Sequence, residues 1–126
     1  MKVLLSIKPE FVDEIVEGNK RFEYRKNIFK NKDISCIVVY ATKPTGKIIG
    51  EFEIENILHE EINNLWNLTK QYSGISEKYF FKYFYGKHKG FAIKIKKFKK
   101  YKKPLELKEF DEDIKVAPQS DRKSVV

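Results

Sequence analysis

Two long segments that alternate apolar and charged residues limit most strongly what this chain can fold into. The first follows a turn at Lys43-Pro44-Thr45-Gly46 and extends to about Leu58. In an extended conformation one face of this segment is apolar and the other is charged. The apolar residues are Ile48, Phe52, Ile54 and Leu58, and the charged residues are Lys47, Glu51, Glu53 and Glu55. The second segment begins at Gly90 and alternates until the phase breaks before Phe98, which predicts a bulge. Since an extended backbone has a period of two, both segments are predicted as strands.

The other predicted elements are three strands and three helices. Apolar or alternating patterns predict the strands, at Lys2 to Ile7, Lys20 to Lys26 and Ser35 to Thr42. Helical spacing predicts one helix from Pro9 with the stripe Phe11, Val12, Ile15 and Val16, one at Glu60 to Tyr72, and one from an N-cap at Ser76 to about Tyr85. The order β-α-β-β-β-α-α-β predicts an α+β fold, a small mixed or antiparallel β-barrel with flanking helices.

The composition sets further limits on the class of protein. A length of 126 residues with 41% hydrophobic residues suits one domain, predicted over residues 1–117, with a polar tail at 118–126. The apolar runs are far shorter than the roughly 20 residues that a membrane-spanning helix needs. The single cysteine, Cys36, excludes an internal disulfide framework and fits a reducing, cytoplasmic location.

Histidine and cysteine, two common metal ligands, are scarce in the sequence. His59 and His88 are the only histidines, and neither forms a metal-ligand spacing with Cys36. No glycine-rich loop follows a strand, so nothing indicates a nucleotide cofactor. We therefore expect no metal, no cofactor and no membrane partner, and we expect both histidines at the surface.

The charge of the chain favours an anionic partner. The formal net charge is +8, and the tract from Lys78 to Lys103 contains 11 lysines, nine aromatic residues and no carboxylate. Lysines bind phosphates and aromatic rings stack on bases, so the tract predicts contact with nucleic acid, with Lys99 and Lys100 as exposed members. The alternative is an AT-rich coding background, which gives many lysines and few arginines without selection for binding.

A second candidate site lies in the segment Gly18-Asn19-Lys20-Arg21-Phe22-Glu23-Tyr24-Arg25. Two of only three arginines, Arg21 and Arg25, share one predicted strand face with Glu23. Arginine offers a planar fork for bidentate contact with a carboxylate, a phosphate or a base edge. The alternative is a surface ion pair across two strands. Because Lys20 has the opposite parity to Glu23 and Arg25, these residues converge only if the strand bends near Gly18.

The pattern Gly-x-Lys-x-x-Glu-x-Arg after a strand and a helix resembles the ASCH domain, a branch of the PUA-like superfamily. Gly18, Lys20, Glu23 and Arg25 occupy its four named positions. Further segments resemble the family in the same order: Ser6 to Pro9 at the first strand-to-helix junction, Tyr40 to Thr42 at a strand end, Gly90 to Ile95 in the last strand, and the C-terminal Pro118-Gln119-Ser120. The resemblance implies a small β-barrel in which the motif lines a cleft beside the first helix.

For function, the resemblance implies binding of RNA or of a modified nucleotide, with DNA as a second candidate. The ligand-binding residues of this hypothesis are Ser6, Lys8, Lys20, Arg21, Glu23, Arg25, Thr42, Lys43, Lys99 and Lys100. We expect Lys20 to be an exposed, partly screened charge, and Arg25 to hold a phosphate or a base edge.

A small hydrolase is the alternative, because a few ASCH proteins are similar to an amidohydrolase of acylated cytidine or to a ribonuclease. The catalytic residues would then be Lys20, with a lowered pKa, and Glu23, as a general base. The amidohydrolase group has lysine at the position of Lys20 but threonine at that of Glu23. A third hypothesis is a regulatory domain whose cleft binds a small anionic ligand.

Overall fold

The chain folds into five strands and three helices in the predicted order, in a computed structural model that describes residues 1–109. The strands are β1 (Lys2–Ile7), β2 (Phe22–Arg25), β3 (Cys36–Ala41), β4 (Lys47–Glu61) and β5 (Lys89–Leu105). The helices are α1 (Pro9–Val16), α2 (Ile62–Thr69) and α3 (Glu77–Tyr83), with 3₁₀ turns at Lys70–Tyr72 and Leu107–Glu109. The domain boundary predicted after residue 117 and the Pro118-Gln119-Ser120 segment lie outside the described residues.

All five strands belong to one mixed sheet with the order β1-β3-β4-β5-β2. β1 runs parallel to β3, whereas the other neighbouring strands are antiparallel. The α+β class with a mixed sheet is confirmed. Closure into a barrel is not seen within residues 1–109, because β1 and β2 each pair on one side only and form the edges. Both edge strands line the same cleft, so the open sheet curls around it.

The long pairing of β4 with β5 is irregular where the sequence phase breaks. The register shifts after Ile95, so that Lys96 is an extra residue on β5. This shift confirms the bulge predicted before Phe98. Next to it, Lys94 Nζ lies 3.0 Å from Glu55 Oε2, which is an ion pair between neighbouring strands.

Helix α1 packs its apolar stripe on one part of the sheet. Val12 and Ile15 are buried among residues of β1 and β3, and Phe11 is half-buried beside them. Val16 was predicted in the same stripe, but it is 41% exposed. It is the last residue of α1, and the chain bends two residues later at Gly18, so Val16 lies at the end of the packed stripe.

Helices α2 and α3 cover β2 and form a second apolar cluster. Its buried members are Phe22, Tyr24, Leu65, Phe80, Phe84 and Ala92. Ser76 is the N-cap of α3 as predicted, because its Oγ accepts a hydrogen bond from the Tyr79 amide at 3.0 Å. In the part of the chain that the structure describes, every helix is too short or too polar to cross a membrane.

Candidate functional site

An open cleft of about 420 Å³ lies beside β1, α1, β2 and α3. Its lining residues come from these elements and from the turn after β3: Ser6, Ile7, Lys8, Phe11, Lys20, Glu23, Tyr24, Arg25, Lys26, Thr42, Lys43, Ile75, Tyr79 and Tyr83. Five of them are cationic, one is a carboxylate and four are aromatic. The cleft therefore combines positive charge with flat apolar rings.

A bend at Gly18 brings Lys20 into the cleft. Gly18 follows α1 and has a φ of +86°, a conformation that glycine adopts without steric strain. The amides of Asn19 and Lys20 both donate hydrogen bonds to the Glu14 carbonyl oxygen at 3.0 Å, which fixes the bend. Lys20 therefore precedes β2 and does not follow its alternation. This is the bend on which convergence of the motif depends.

Lys20 is buried in the wall of the cleft, with 2% of its surface exposed. Its Nζ donates a hydrogen bond to the Ser73 carbonyl oxygen at 2.9 Å and lies 4.0 Å from Glu23 Oε1. The ring centroids of Phe11 and Tyr24 lie 5.5 Å and 4.8 Å from Nζ. Burial lowers the pKa of Lys20 to about 8, although the Glu23 carboxylate acts in the opposite direction. The expectation of an exposed, screened charge is wrong.

The turn between α2 and α3 is what covers Lys20. Ser73 Oγ donates a hydrogen bond to the Ile75 carbonyl oxygen at 2.7 Å, which holds the turn in shape. Gly74 has a φ of +67°, and a Cβ at this position would overlap the Lys20 side chain. Glycine is therefore required for the turn to close over Lys20. Ser73 and Lys20 are 53 residues apart, so local sequence patterns did not reveal this contact.

Glu23 and Arg25 form an ion pair next to Lys20. Arg25 Nη1 lies 3.4 Å from Glu23 Oε2, while Glu23 Oε1 faces Lys20. Glu23 is 6% exposed and Arg25 is 3% exposed. The alternative of a surface pair across two strands is therefore wrong, because both residues lie on β2 and both are buried. The carboxylate is held between two cations, one on each of its oxygens.

Tyr24 connects β2 to α2 at the base of the cleft. Its hydroxyl donates a hydrogen bond to Thr69 Oγ1 at 2.7 Å, and Thr69 Oγ1 donates in turn to the Leu65 carbonyl oxygen at 2.7 Å. Burial raises the pKa of Tyr24 to about 12, so the hydroxyl remains protonated at neutral pH. Tyr24 is thus a fixed, neutral surface beside Lys20.

Two tyrosines of α3 also line the cleft, and a lysine ammonium lies close to the ring of each. Lys8 Nζ lies 5.1 Å from the ring centroid of Tyr79, and Lys26 Nζ lies 4.8 Å from that of Tyr83. The sequence patterns singled out neither tyrosine. The signal that identifies them is their spacing of four residues, interleaved with the core phenylalanines of the same helix.

Seven of the ten predicted ligand-binding residues line this cleft: Ser6, Lys8, Lys20, Glu23, Arg25, Thr42 and Lys43. The other three lie elsewhere. Arg21 is exposed, with its guanidinium 4.2 Å from the ring centroid of Tyr72. It precedes β2, so the alternation that grouped it with Arg25 does not apply. Lys99 and Lys100 are exposed on β5, in the part that pairs with β4.

Metal-binding and thiol chemistry receive no support from residues 1–109. No group of three or more His, Cys, Asp or Glu side chains in that range is arranged to hold a metal ion. His59 and His88 are both exposed. The Cys36 thiol is buried and lies 3.3 Å from Glu51 Oε2. Burial raises the pKa of Cys36 to about 11, which keeps the thiol neutral and unreactive at physiological pH.

Comparisons with known proteins agree on one family. A family model described as the ASCH domain matches residues 5–113. The ASCH domain-containing ribonuclease of Zymomonas mobilis is 32% identical over 95 residues, which are 75% of this chain and 64% of that protein. The large ribosomal subunit protein uL22 of Ureaplasma parvum serovar 3 is 37% identical over 110 residues, 86% of this chain and 35% of that protein. The chain thus spans about a third of the ribosomal protein and less than two thirds of the ribonuclease.

Solved structures of an ASCH protein from Zymomonas mobilis have the same fold. A serine-to-alanine mutant superposes with a TM-score of 0.79 at 30% identity, covering 86% of this chain and 75% of the other. A second crystal structure of the Zymomonas mobilis ASCH protein has a TM-score of 0.79 at 25% identity, covering 98% of this chain and 91% of the other. The similarity therefore extends over nearly the whole chain.

Proposed function

Because the chain belongs to the ASCH domain family, we propose that its cleft binds RNA and cleaves the RNA backbone. In this proposal Lys20, Glu23 and Arg25 surround the reacting phosphodiester, each next to a different oxygen. The observation that carries the proposal is Lys20, a buried amine with a lowered pKa that lines an open cleft beside a carboxylate. The ribonuclease relative from Zymomonas mobilis supports RNA as the substrate class.

The side chains of the cleft suit a phosphodiester. Five cations and a single carboxylate give the lining a net positive charge, which attracts the anionic backbone of RNA. Lys8 and Lys43 supply further positive charge near the rim, and the hydroxyls of Ser6 and Thr42 supply donors for phosphate oxygens. Binding and reaction are therefore proposed for one place on the molecule.

The reaction that fits these groups is attack of a ribose 2′-hydroxyl on the adjacent phosphorus. Glu23 accepts the proton of the 2′-hydroxyl as its oxygen forms a bond to phosphorus. The bond between phosphorus and the 5′-oxygen breaks, and Lys20 donates a proton to that leaving oxygen. Arg25 contacts the non-bridging oxygens, where negative charge grows in the transition state. The products are a 2′,3′-cyclic phosphate and a 5′-hydroxyl.

The burial of Lys20 favours this reaction over recognition alone. An exposed lysine with the ordinary pKa of 10.5 acts only as a positive charge, whereas an amine with a pKa of about 8 exchanges its proton near neutral pH. Lys20 Nζ is also 4.0 Å from Glu23, too far for a direct hydrogen bond. Both groups therefore retain hydrogen-bonding capacity for a substrate.

The proposal is tested by cleavage of a labelled single-stranded RNA by the purified chain and by two variants, Lys20→Met and Glu23→Gln. Both substitutions keep the approximate size of the side chain and remove its charge. We expect each to lower the cleavage rate about a hundredfold or more, as expected for loss of a general acid or base. The control is Lys87→Met, an exposed lysine outside the cleft, which should cleave at the wild-type rate. Circular dichroism and thermal melting verify that each variant folds.

Other outcomes separate the parts of the proposal. If the wild type binds RNA without cleaving it, the reaction is overturned and the binding function remains. Arg25→Ala is then expected to weaken binding most, by about 1–3 kcal/mol. Turnover of an acylated nucleoside, with RNA left intact, would assign amidohydrolase chemistry instead. Failure to bind any RNA at low salt would overturn both parts.

A further inference from the structure

The two tyrosines of the cleft repeat one local arrangement. Tyr79 and Tyr83 each hold a lysine ammonium near the ring, Lys8 in one case and Lys26 in the other. The two lysines come from different parts of the chain: Lys8 immediately precedes α1, Lys26 immediately follows β2, and both lie beside tyrosines of α3. A ring next to a cation is complementary to one nucleotide, because the ring can stack on the flat base and the cation can contact the phosphate.

We propose that Tyr79 and Tyr83 stack on two neighbouring bases of a single-stranded RNA, while Lys8 and Lys26 contact the phosphates beside them. The proposal rests on RNA binding in the cleft and adds the form of the RNA and the residues that contact its bases. In the absence of RNA each ammonium lies near its ring, where the negative face of the ring attracts it. A base that stacks on the ring displaces the ammonium toward a phosphate.

Helix α3 divides its aromatic residues between the core and the cleft. Phe80 and Phe84 are almost fully buried in the second apolar cluster. Tyr79 and Tyr83, each one position earlier, line the cleft and are half-buried. Core packing thus uses the phenylalanines, and the two rings with polar ends are the ones that a ligand contacts.

The tyrosine rings are held in place before any ligand binds. Tyr79 contacts Phe11 edge to face, with ring centroids 5.1 Å apart, and its amide donates the capping hydrogen bond to Ser76. Tyr83 contacts Phe84 edge to face at 4.8 Å. Four residues along a helix correspond to a rise of about 6 Å, so the two rings present separate stacking surfaces. Fixed rings lose little conformational freedom on binding, which favours their use as stacking platforms.

Stacking of this kind requires unpaired bases. In double-stranded RNA the bases are stacked on one another and only their edges face the grooves. A single strand exposes both faces of each base, and every base has an aromatic face. The two tyrosines would therefore distinguish single-stranded from double-stranded RNA more than they distinguish one base sequence from another. The cleft is therefore assigned to single-stranded RNA.

Fluorescence anisotropy with an uncleavable probe tests this assignment on the full chain. The probe is a short, labelled oligoadenylate with 2′-fluoro riboses, compared with a strand of the same length and charge that lacks all bases, and with the corresponding duplex. We expect Tyr79→Leu and Tyr83→Leu each to weaken oligoadenylate binding about fivefold or more, the lower end of what a base–aromatic stack contributes. Tyr79→Phe and Tyr83→Phe should bind like the wild type, because the ring remains. Tyr85→Leu is the matched control, since Tyr85 lies just after α3 and is 88% exposed.

The strand without bases distinguishes this inference from the proposed function. We expect it to bind the wild type more weakly than the oligoadenylate binds either leucine variant, because each variant retains one of the two stacking rings. If the wild type binds both strands equally well, or binds the duplex more tightly, the stacking assignment is overturned and RNA binding remains. If neither strand binds, RNA binding itself is overturned. Leucine variants that bind the oligoadenylate like the wild type would also overturn the role of the two rings.

Discussion

The buried cations of the cleft and the exposed lysines of β5 carry the same charge in opposite surroundings. The first group is Lys20 and Arg25, which together with the Glu23 carboxylate form the buried cluster. The second group, here the β5 lysine tract, comprises Lys96, Lys97, Lys99, Lys100, Lys102 and Lys103, all of them exposed. In the buried cluster each side chain is less than a tenth exposed and has a fixed neighbour of opposite charge. In the tract, water solvates each ammonium.

The comparison shows that the number of charged residues in a region does not determine how reactive those residues are. Solvated charges attract an anionic partner over a distance, and salt screens that attraction. A desolvated charge acts through its immediate neighbours, and its protonation changes, as the lowered pKa of Lys20 illustrates. Under the proposed function, the tract attracts RNA and the buried cluster reacts with it.

Replacing lysine with arginine is expected to give the largest difference in cleavage rate between the buried cluster and the β5 lysine tract. Lys20→Arg exchanges an amine that titrates near pH 8 for a guanidinium that stays charged and needs more space in a packed site. We expect the rate of RNA cleavage to fall about a hundredfold or more. The double variant Lys99→Arg and Lys100→Arg keeps exposed positive charge and should cleave at the wild-type rate. Single-turnover rates measure both effects, and equal rates for the two variants would contradict the distinction.

The pH dependence of stability gives the next largest expected effect. Between pH 8 and 10.5 the unfolded chain binds a proton at Lys20 that the folded chain does not, so the contribution of Lys20 to stability rises with pH through this window. Relative to Lys20→Met, the wild type should gain up to about 3 kcal/mol in unfolding free energy. Cys36 and Tyr24, whose raised pKa values lower stability at high pH, are present in both proteins. Urea unfolding at several pH values measures the difference; a constant difference would mean that Lys20 is solvated.

A pair of glycine substitutions tests the turn that buries Lys20. Gly74 and Gly86 both have a positive φ, so alanine strains the backbone at either position, by about 1–3 kcal/mol. A Cβ at Gly86 meets open space, whereas a Cβ at Gly74 overlaps Lys20. We expect Gly74→Ala to destabilise the fold by about 1–2 kcal/mol more than Gly86→Ala and to lower cleavage as well. Chemical unfolding and cleavage assays test this, and equal effects would show that the turn tolerates movement.

Neutralising the tract gives the smallest expected effect. Lys99→Gln combined with Lys100→Gln should reduce the slope of log affinity against log salt concentration by about 1 for each lysine that contacts a phosphate. Affinity at high salt should change little, because the contribution of the tract is screened there. Salt titrations of RNA binding measure the slope. An unchanged slope would remove both lysines from the RNA-binding surface.

The fold was predictable where residues report on their own local geometry. The alternation of apolar and charged residues predicted β4 and β5, and the phase break before Phe98 predicted the bulge. Ser76 predicted the start of α3. Closure of the sheet was not predictable in this way, since it depends on whether β1 and β2 meet, and within residues 1–109 they remain the edges. Val16 fits the helical stripe by spacing, but its exposure depends on where the chain leaves α1.

The sequence was sufficient to predict most of the charged residues that form the candidate site, but not how deeply those residues are buried. The motif from Gly18 to Arg25 named Lys20, Glu23 and Arg25, which all line the cleft, but it did not name Lys26. The need for a bend at Gly18 followed from strand parity. The burial of Lys20 arises from Ser73 and Gly74, which are far away in sequence, so spacing within the motif contains no information about it. Composition also named Lys99 and Lys100, which lie outside the cleft on β5, because a count of charges contains no information about their position.

The protonation of Lys20 is open to measurement by NMR titration of the chain with carbon-13-labelled lysine side chains. Comparison with Lys20→Met assigns the Lys20 ε-carbon signal. We predict that this signal titrates near pH 8, far below the ordinary value of 10.5, and that it shifts when a single-stranded RNA is added. A Lys20 signal that titrates near 10.5 and does not respond to RNA would contradict both the buried, reactive amine and the cleft as the RNA site.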